Sequence, residues 1–383
     1  MASPDDIINT TFTSDGARVA CNRRYGTSRV ALRRNDPEPF KVGRWLGKGG
    51  WGDVHETDLD GIVVALKRVY FRNTPRERPR YTNELEVLEK LSRKRHRHIV
   101  ELIGCYELPS RRLYQLGLLI WPVAQCDLSA YLGHVDTLQE SIAFRAANKH
   151  TALLEIFHEE NNALDEICKL LGISRETSTS DRCNDLGERL PEIYERSRRY
   201  LYTIFGCLAS AIVYLHDDQM IRHKDIKPSQ ILLSSDGLWL TDFGWSLDIS
   251  ELSNSATDNG ATVSARYHAP ERATRGERYC GRLEDIFGLG YVYFEMINRV
   301  CGIPSGDVSV WQGKGFSYQE NLHQIVNWPP IGNQCSQRAR HLAQLIKRMM
   351  AHDDKARPRI SEVVNELAVD FQDGLSFFGA CCS

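Results

Sequence analysis

The sequence lacks any apolar run long enough to cross a bilayer. Its longest run, from Leu116 to Ala124, is interrupted by Pro122 and is far shorter than the roughly 20 residues that a membrane-spanning helix needs. Residues 1–20 also lack the basic segment and the apolar segment of a secretory signal. We therefore expect no membrane span and a cytoplasmic protein, with the nucleus as the alternative location.

Paired cysteines are missing as well. The 11 cysteines are scattered between Cys21 and Cys382, odd in number and without CxxC spacing. This distribution argues against a disulfide framework and against a zinc site, and it favours a reducing compartment. The adjacent Cys381 and Cys382 do not form a prenylation box, because the fourth position from the end is not a cysteine.

Neither sign of charge is in excess. The 48 Lys and Arg residues nearly balance the 50 Asp and Glu residues, and the net charge of −2 gives no indication of a general polyanion binder. The basic string SRKRHRH, Ser92 to His98, is typical of a nuclear-localisation signal or nucleic-acid patch. A solvated turn between a helix and a strand is the favoured interpretation, so we expect no nucleic-acid partner.

The character of the chain changes twice along its length. Residues 1–37 are polar and show no sustained hydrophobic period, which predicts a flexible N-terminal extension. From Phe40 to Trp121, short β-branched runs alternate with glycine turns, and one helix is expected over Thr82 to Lys94. Beyond Trp121 the pattern is mainly helical. The predicted fold class is therefore α+β, with a β-rich piece before a larger helical piece.

The first motif that carries chemistry is LGKGGWGDV, with glycines at Gly47, Gly49 and Gly52. Glycine lets backbone amides approach phosphate oxygens closely, because no Cβ is in the way. On its own the motif is weak evidence for phosphate binding, and a glycine-rich turn without a function is an equal alternative. A dinucleotide fold would need a helix at the glycines, and a P-loop would need GKS or GKT. Here a second strand with Val54 follows, which favours a lid over nucleotide phosphates.

The second motif is VALKRV, which puts Lys67 between apolar residues on the next strand. A buried ammonium needs a carboxylate partner or must lose its charge. Glu84 on the following helix is the favoured partner, and Glu86 is the alternative. A lysine held in this way can grip the α- and β-phosphates of a nucleotide, whereas an ordinary strand lysine would extend into solvent.

The third motif is IRHKDIKPSQILL, and LTDFGWS follows it closely. Asp225 in the first string is a candidate to orient an attacking hydroxyl, and Lys227 is a candidate to neutralise charge on a transferred phosphoryl group. Asp242 in the second string is a candidate magnesium ligand, twelve residues after Gln230. Each string alone could arise by chance. The occurrence of both, in this order and at this spacing, is very rare by chance.

Together these motifs resemble those of the eukaryotic protein kinase superfamily, serine/threonine type, over residues 40–372. The resemblance continues in RYHAPE, which ends at Glu271, and in DIFGLG, which begins at Asp285. It implies that Asp285 braces the catalytic loop and that Arg357 forms a structural ion pair with Glu271. The strings HKDIKP and TDFGWSLD look most similar to kinases of filamentous fungi.

The resemblance implies a bilobal kinase fold, with an N-lobe at 38–122, a C-lobe at 123–372, an insertion at about 134–196 and a tail at 373–383. Apolar residues in the insertion predict helices that pack on the C-lobe, with partner binding as the alternative. ATP and Mg²⁺ are the implied cofactors, a protein is the implied substrate, and no oligomeric state is predicted. The implied nucleotide-binding residues are Gly47, Gly49, Gly52, Val54, Ala65, Lys67, Glu84, Trp121, Val123 and Leu232, with Ile120 as gatekeeper.

Two features imply serine and threonine as acceptors. Lys227 stands two residues after the catalytic aspartate, and Ser264 matches the hydroxyl that bridges such a lysine and aspartate. The segment from Leu247 to Ser264 is the implied activation segment, where a phosphate would pair with Lys224 in place of the usual arginine. Lysine lacks the bidentate fork of arginine, so this contact should be weaker.

The main departure from the family is Gln230, which stands where kinases carry a metal-binding asparagine. Glutamine has the same carboxamide oxygen on a side chain one methylene longer, so Gln230 is a candidate metal ligand beside Asp242. Retention of Lys67, Asp225 and Asp242 favours an active enzyme, in which these three act with Lys227. A pseudokinase scaffold is the alternative, and a small-molecule phosphotransferase is a weaker one, since RYHAPE is typical of protein-substrate kinases.

Overall fold

The β-branched runs that follow Phe40 form strands, as their alternation of side chains predicts. The protein is described by a computed structural model that covers residues 4–49, 52–72, 74–75, 78–110, 113–147, 154–174, 182–250, 267–275, 281–303, 321–322, 336–369, 371 and 375–382. The chain divides into a first unit, Met1–Ala124 with Trp239–Asp248, and a second unit, Gln125–Leu238 with Ile249–Ser383.

The first unit is rich in strands. Its elements before residue 125 are α1 (Pro4–Tyr25), β1 (Arg29–Ala31), β2 (Trp45–Gly49), β3 (Gly52–Leu59), β4 (Ile62–Phe71), α2 (Arg78–Arg93), β5 (Glu101–Pro109) and β6 (Tyr114–Trp121). The strands form one sheet in the order β1-β5-β6-β4-β3-β2. β1 runs parallel to β5, and the other neighbours are antiparallel.

The two faces of strand β4 have different neighbours. Val64 and Leu66 are fully buried in a cluster that includes residues of α1. Because successive side chains on a strand point to opposite faces, Ala65 and Lys67 belong to the other face. The register sets Lys67 opposite Val54 on one side and Leu118 on the other. The sheet thus places the lysine of VALKRV between two neighbouring strands, away from the α1 cluster.

The described residues of the segment expected to be a flexible extension, 4–37, contain a helix and a strand instead. Residues Pro4–Tyr25 form α1, and Ala17, Ala20 and Cys21 on one face of this helix are buried against the sheet. Arg18 also donates to Glu101, at 2.9 Å. Alanine and cysteine give a weak hydrophobic signal in a polar sequence, and this helix depends on packing against the rest of the unit.

The second unit is mainly helical. Its helices among the described residues are α3 (Leu128–Ala147), α4 (Leu154–Leu170), α5 (Arg182–Val213), α6 (Pro270–Arg275), α7 (Arg282–Val300), α8 (Gln337–Met349) and α9 (Ile360–Leu367). Its short strands are β7 (Cys126–Asp127), β8 (Ile221–Arg222) and β9 (Ile231–Ser234), and β7 pairs with β9. A sheet-rich unit with a mainly helical one confirms the α+β class.

The insertion predicted at about 134–196 contributes helices to the second unit. It supplies most of α3, all of α4 and the first half of α5. Leu164 and Ile167 of α4 are fully buried, and Arg145 of α3 donates to Glu160 of α4 at 2.6 Å. The described part of the insertion therefore contributes buried side chains to the second unit.

Three further elements lie between residues 237 and 248. β10 (Gly237–Leu240) spans the boundary between the units, a 3₁₀ turn covers Phe243–Trp245, and β11 (Leu247–Asp248) follows it in the first unit. At the C-terminus, Phe377 is buried, and its carbonyl accepts from the amide of Gly206 at 2.8 Å. Among the described residues, no helix combines the length and apolar character that a membrane-spanning segment needs.

Candidate active site

The glycines of LGKGGWGDV lie where β2 turns into β3. Gly49 pairs with Gly52, and Gly47 pairs with Val54. A Cβ on Gly52 would lie 1.8 Å from the carbonyl oxygen of Arg68, so only glycine fits there. A Cβ on Gly47 would meet nothing within 4 Å, which leaves this part of the turn open to a ligand. Residues 50 and 51, at the tip, lie outside the described residues.

Lys67 is held by carboxylates from two directions within the first unit. Its ammonium donates to both oxygens of Glu84, at 2.7 and 2.8 Å, and to Oδ1 of Asp242 at 2.8 Å. Glu84 is 6% exposed on the buried face of α2, whereas Glu86 is on its exposed face. The structure therefore pairs Lys67 with Glu84, the favoured partner in the sequence analysis.

The electrostatics of this cluster follow from burial and charge. Burial disfavours the ammonium of Lys67, but the carboxylates of Asp242 and Glu84 outweigh it and raise the lysine pKa. Burial also raises the pKa of Glu84, with a further contribution from the charge of Asp242 and an opposing one from Lys67. The lysine is thus charged at neutral pH and oriented by two carboxyl groups.

Asp242 is positioned by the turn that follows it. Its backbone has φ 62° and ψ 70°, a left-handed conformation that is uncommon outside glycine and that is found at functional sites. The next side chain, Phe243, is fully buried. On α2, Asn83 donates to the carbonyl of Ser246 at 2.9 Å and so ties the helix of Glu84 to the segment of Asp242. The sequence analysis missed this role of Asn83, for which only its place beside Glu84 was a signal.

The residues of HKDIKPSQ form a second cluster, within the second unit. Lys227 donates to Oδ2 of Asp225 at 2.6 Å, and the amide nitrogen of Gln230 lies 3.5 Å from the same oxygen. Asp225 and Gln230 are both buried, each 8% exposed. The structure therefore brings together a carboxylate, an ammonium and a carboxamide from one short segment of the chain.

A buried ionic network holds the backbone of this segment. The carboxylate of Asp285, on α7, accepts from the amides of His223 and Lys224 and from Nε2 of His216, each at 2.8 Å. Burial alone would raise the pKa of Asp285, but the hydrogen bond and charge of His216 outweigh it and lower the pKa to about 2. Asp285 is therefore ionised where it braces the backbone segment that carries Asp225.

A second carboxylate of α7 extends this network. Glu284 accepts from Arg222 at 2.8 Å and from Arg272 at 2.9 Å. The sequence analysis missed His216, Arg222, Arg272 and Glu284, because partners 12 to 69 residues apart share no local pattern. Elsewhere in the second unit, Arg357 donates to both oxygens of Glu271, at 2.8 and 2.7 Å, so the expected structural ion pair is present.

The residues implied to bind adenine occur in both units. In the first unit, Ala65 pairs with Ile120 across the β4–β6 ladder, and Trp121 ends β6 just before Val123. In the second unit, Leu232 lies on β9 opposite Asp127 of β7. Ser264 and most of the implied activation segment, from residue 251 onward, lie outside the described residues.

Comparisons with known proteins agree on one family. The model of the protein kinase domain matches residues 176–367, just over half of the chain. A probable receptor-like protein kinase from Arabidopsis thaliana is 23% identical over 337 residues, which cover 85% of this chain and 32% of that protein. Mitogen-activated protein kinase kinase 2 from the same plant is 29% identical over 167 residues, 43% of this chain and 44% of the relative.

A third relative covers nearly the whole chain. The receptor-like serine/threonine-protein kinase ALE2 of Arabidopsis thaliana is 25% identical over 362 residues, 90% of this chain and 38% of that protein. The chain thus spans between about a third and just under half of the length of these curated relatives.

Proposed function

The chain belongs to the protein kinase family, and we propose that it transfers the γ-phosphate of ATP to serine and threonine hydroxyls of protein substrates. The observation that carries this proposal is the buried Lys67, held by Glu84 and by Asp242. An isolated buried lysine would be costly, whereas an ammonium fixed by two carboxylates is suited to grip phosphate oxygens.

The first unit supplies the groups that bind the triphosphate. The backbone amides of the glycine turn at Gly47, Gly49 and Gly52 cover the phosphates, and Lys67 contacts the α- and β-phosphates. Val54 and Ala65 pack against adenine, while Trp121 and Val123 offer backbone groups to its edge. Two of these positions, Gly52 and Ala65, are fixed by strand pairing in the sheet.

The metal ligands proposed are Asp242 and Gln230. A carboxylate and a carboxamide oxygen are hard donors, the type that Mg²⁺ prefers. The Asp242 side chain is about a quarter exposed, which leaves it accessible to an ion. Magnesium, when bound, neutralises charge on the phosphate oxygens. The protein's own contribution is to hold Asp242 through the buried Phe243 and the Asn83 hydrogen bond.

The second unit supplies the groups for the transfer step. Asp225 orients the acceptor hydroxyl and accepts its proton, and Lys227 neutralises charge on the phosphoryl group in transit. The 2.6 Å contact between these two side chains supports roles at one reaction centre. Lys227 is also the feature that favours serine and threonine over tyrosine. Leu232 completes the apolar surface for adenine.

A pseudokinase scaffold is the second candidate function, and one observation favours it. Gln230 turns its amide nitrogen toward Asp225, at 3.5 Å, which directs a donor rather than an acceptor to that carboxylate. A misplaced carboxamide oxygen would weaken metal binding, and small displacements in such sites cost large factors in rate.

One experiment separates the two functions. The purified chain is incubated with Mg²⁺, γ-labelled ATP and a generic protein substrate, beside Asp225→Asn and Asp242→Ala variants whose folding is verified by circular dichroism. Labelled phosphoserine and phosphothreonine that disappear in both variants support the kinase. Thermal stabilisation by ATP without transfer would overturn it in favour of the scaffold. Label found only on tyrosine would overturn the acceptor assignment.

A further inference from the structure

Three cysteines from distant parts of the chain meet at the C-terminus of the second unit. Cys207 lies on α5, and Cys381 and Cys382 lie in the C-terminal segment. Their sulfur atoms all lie within 4.8 Å of one another, and those of Cys207 and Cys381 are 3.5 Å apart. Cys207 is buried at 3% exposure, and the other two are half-buried.

Packing around Phe377 holds the C-terminal segment on α5 independently of the cysteines. Phe377 is buried against Phe205 at 5.9 Å between ring centroids, and the guanidinium of Arg338 lies 5.0 Å from its centroid. The carbonyl of Phe377 accepts from the amide of Gly206 at 2.8 Å. A Cβ on Gly206 would collide with the ring of Phe378, so glycine permits this approach. The three thiols are therefore brought together before any ligand binds.

The turn around Gly379 shapes the cluster. Its amide donates to the sulfur of Cys207 at 3.2 Å, and its carbonyl accepts from the amide of Cys382 at 2.8 Å. A Cβ at this position would lie 3.3 Å from the sulfur atoms of both Cys207 and Cys381. A backbone N–H aimed at sulfur stabilises negative charge on it, as in the environment of metal-bound thiolates.

We propose that Cys207, Cys381 and Cys382 form a binding site for a thiophilic divalent metal ion, with Zn²⁺ as its natural occupant. Zinc–sulfur bonds of about 2.3 Å in a tetrahedral arrangement place sulfur atoms about 3.8 Å apart. The sulfur separations here, from 3.5 to at most 4.8 Å, bracket that value. Binding deprotonates the three thiols, and their protons pass to solvent, with no change in oxidation state.

A disulfide between Cys207 and Cys381 is the competing use of these thiols. It would engage two of three convergent sulfurs and give no role to Cys382. The absence of CxxC spacing argues against a zinc motif built from neighbouring cysteines. It does not bear on this cluster, because 174 residues separate Cys207 from Cys381.

The test is metal binding by the full-length reduced chain. Protein in phosphine reductant is loaded with Zn²⁺, passed through a desalting column and assayed for zinc by mass spectrometry. Co²⁺ in place of Zn²⁺ reports thiolate ligation through its sulfur-to-metal charge-transfer absorption. We expect one equivalent in the wild type and in a matched control, Cys301→Ser, which alters a half-buried cysteine elsewhere in this unit.

The variants that decide the matter are Cys381→Ser and Cys382→Ser, which are half-exposed and leave the core cysteine in place. Each is expected to lose the retained equivalent and the cobalt absorption. A chelator is expected to lower the melting temperature of the wild type and of Cys301→Ser but not that of Cys381→Ser or Cys382→Ser. Equal metal content in these variants and in Cys301→Ser would overturn the site. So would a reduced wild type that retains no metal, particularly if peptide mapping of unreduced protein finds a Cys207–Cys381 disulfide.

Discussion

The ammonium of Lys67 and the carboxylate of Glu84 lie 2.7 Å apart, on a strand and a helix that meet inside the first unit. Both side chains are almost wholly removed from solvent. Loss of one partner from a buried ion pair leaves an uncompensated charge, which costs more than the pair itself contributes. Stability and nucleotide binding are therefore coupled at this point, and a substitution here should alter both.

Lys67→Met is expected to destabilise the protein by about 3–5 kcal/mol at pH 7, since it leaves the buried Glu84 and the partly exposed Asp242 beside it without a cation. The pKa of Glu84 is already raised by burial, and loss of the lysine charge raises it further. A raised pKa means that the folded state gains a proton more readily than the unfolded state. The loss of stability caused by Lys67→Met therefore shrinks as the pH falls from 7 toward the glutamate pKa of the unfolded state, near 4.5. Guanidinium unfolding of wild type and variant at several pH values measures this difference.

The control for this prediction is the double variant Lys67→Met with Glu84→Gln. The neutral amide removes the titrating carboxyl of residue 84, so most of the pH dependence of the cost should disappear. A cost of Lys67→Met that is the same at pH 7 and pH 5 would contradict the prediction. Phosphate transfer is expected to be lost in both variants.

Gln230→Asn tests whether the extra methylene limits catalysis. Asparagine shortens the carboxamide by one carbon, and we expect a transfer rate about tenfold higher, because misplacement of about 1 Å costs up to roughly 100-fold in rate. The KM for ATP should change less than kcat, since Lys67 and the glycine turn are untouched. Steady-state kinetics over a range of Mg²⁺ concentrations measures both constants.

Gln139→Asn is the matched control for that change. Gln139 lies on α3 and donates to the carbonyl of Gly302 at 2.8 Å, and neither residue is among those proposed to bind nucleotide. It carries the same loss of one methylene and should leave kcat unchanged. An asparagine variant of Gln230 that is slower than the wild type would show that glutamine is the adapted residue here.

Contacts in this site between residues that are close in sequence could be predicted, and contacts between residues that are distant in sequence could not. A lysine in an apolar strand requires a carboxylate, and the helix 17 residues further along offers Glu84, which the spacing of the family favours over Glu86. The brace from Asp285 to the amide of His223 crosses 62 residues and has no periodic signal of its own. Family resemblance supplied its role, while its partner His216 was found only in the structure. The same reasoning covers Cys207 and Cys381, whose meeting depends on packing of the C-terminal segment.

Gly52→Ala is expected to destabilise the first unit by about 1–3 kcal/mol, because the new Cβ would lie 1.8 Å from the carbonyl oxygen of Arg68 and β3 or β4 must move. Gly47→Ala is the matched control, since its Cβ would meet nothing within 4 Å. We expect Gly47→Ala to keep the wild-type melting temperature. Thermal melts of both variants test this, and equal losses of stability would contradict the strand pairing described for Gly52.

Ala17→Leu tests whether α1 is part of the folded unit. Ala17 has no exposed surface and lies among Val64 and Leu66 of the sheet, so three extra carbons must displace packed side chains at a cost of about 1–3 kcal/mol. Val19→Leu places the same side chain two residues later, at a position that is 56% exposed, and should change stability by less than about 0.5 kcal/mol. Chemical denaturation of the two variants gives the comparison. If they unfold alike, α1 does not pack on the sheet in solution and the extension predicted from the polar sequence is restored. A cost confined to Ala17→Leu requires that packing, because both substitutions put a leucine on the same helix, one on its buried face and one on its exposed face.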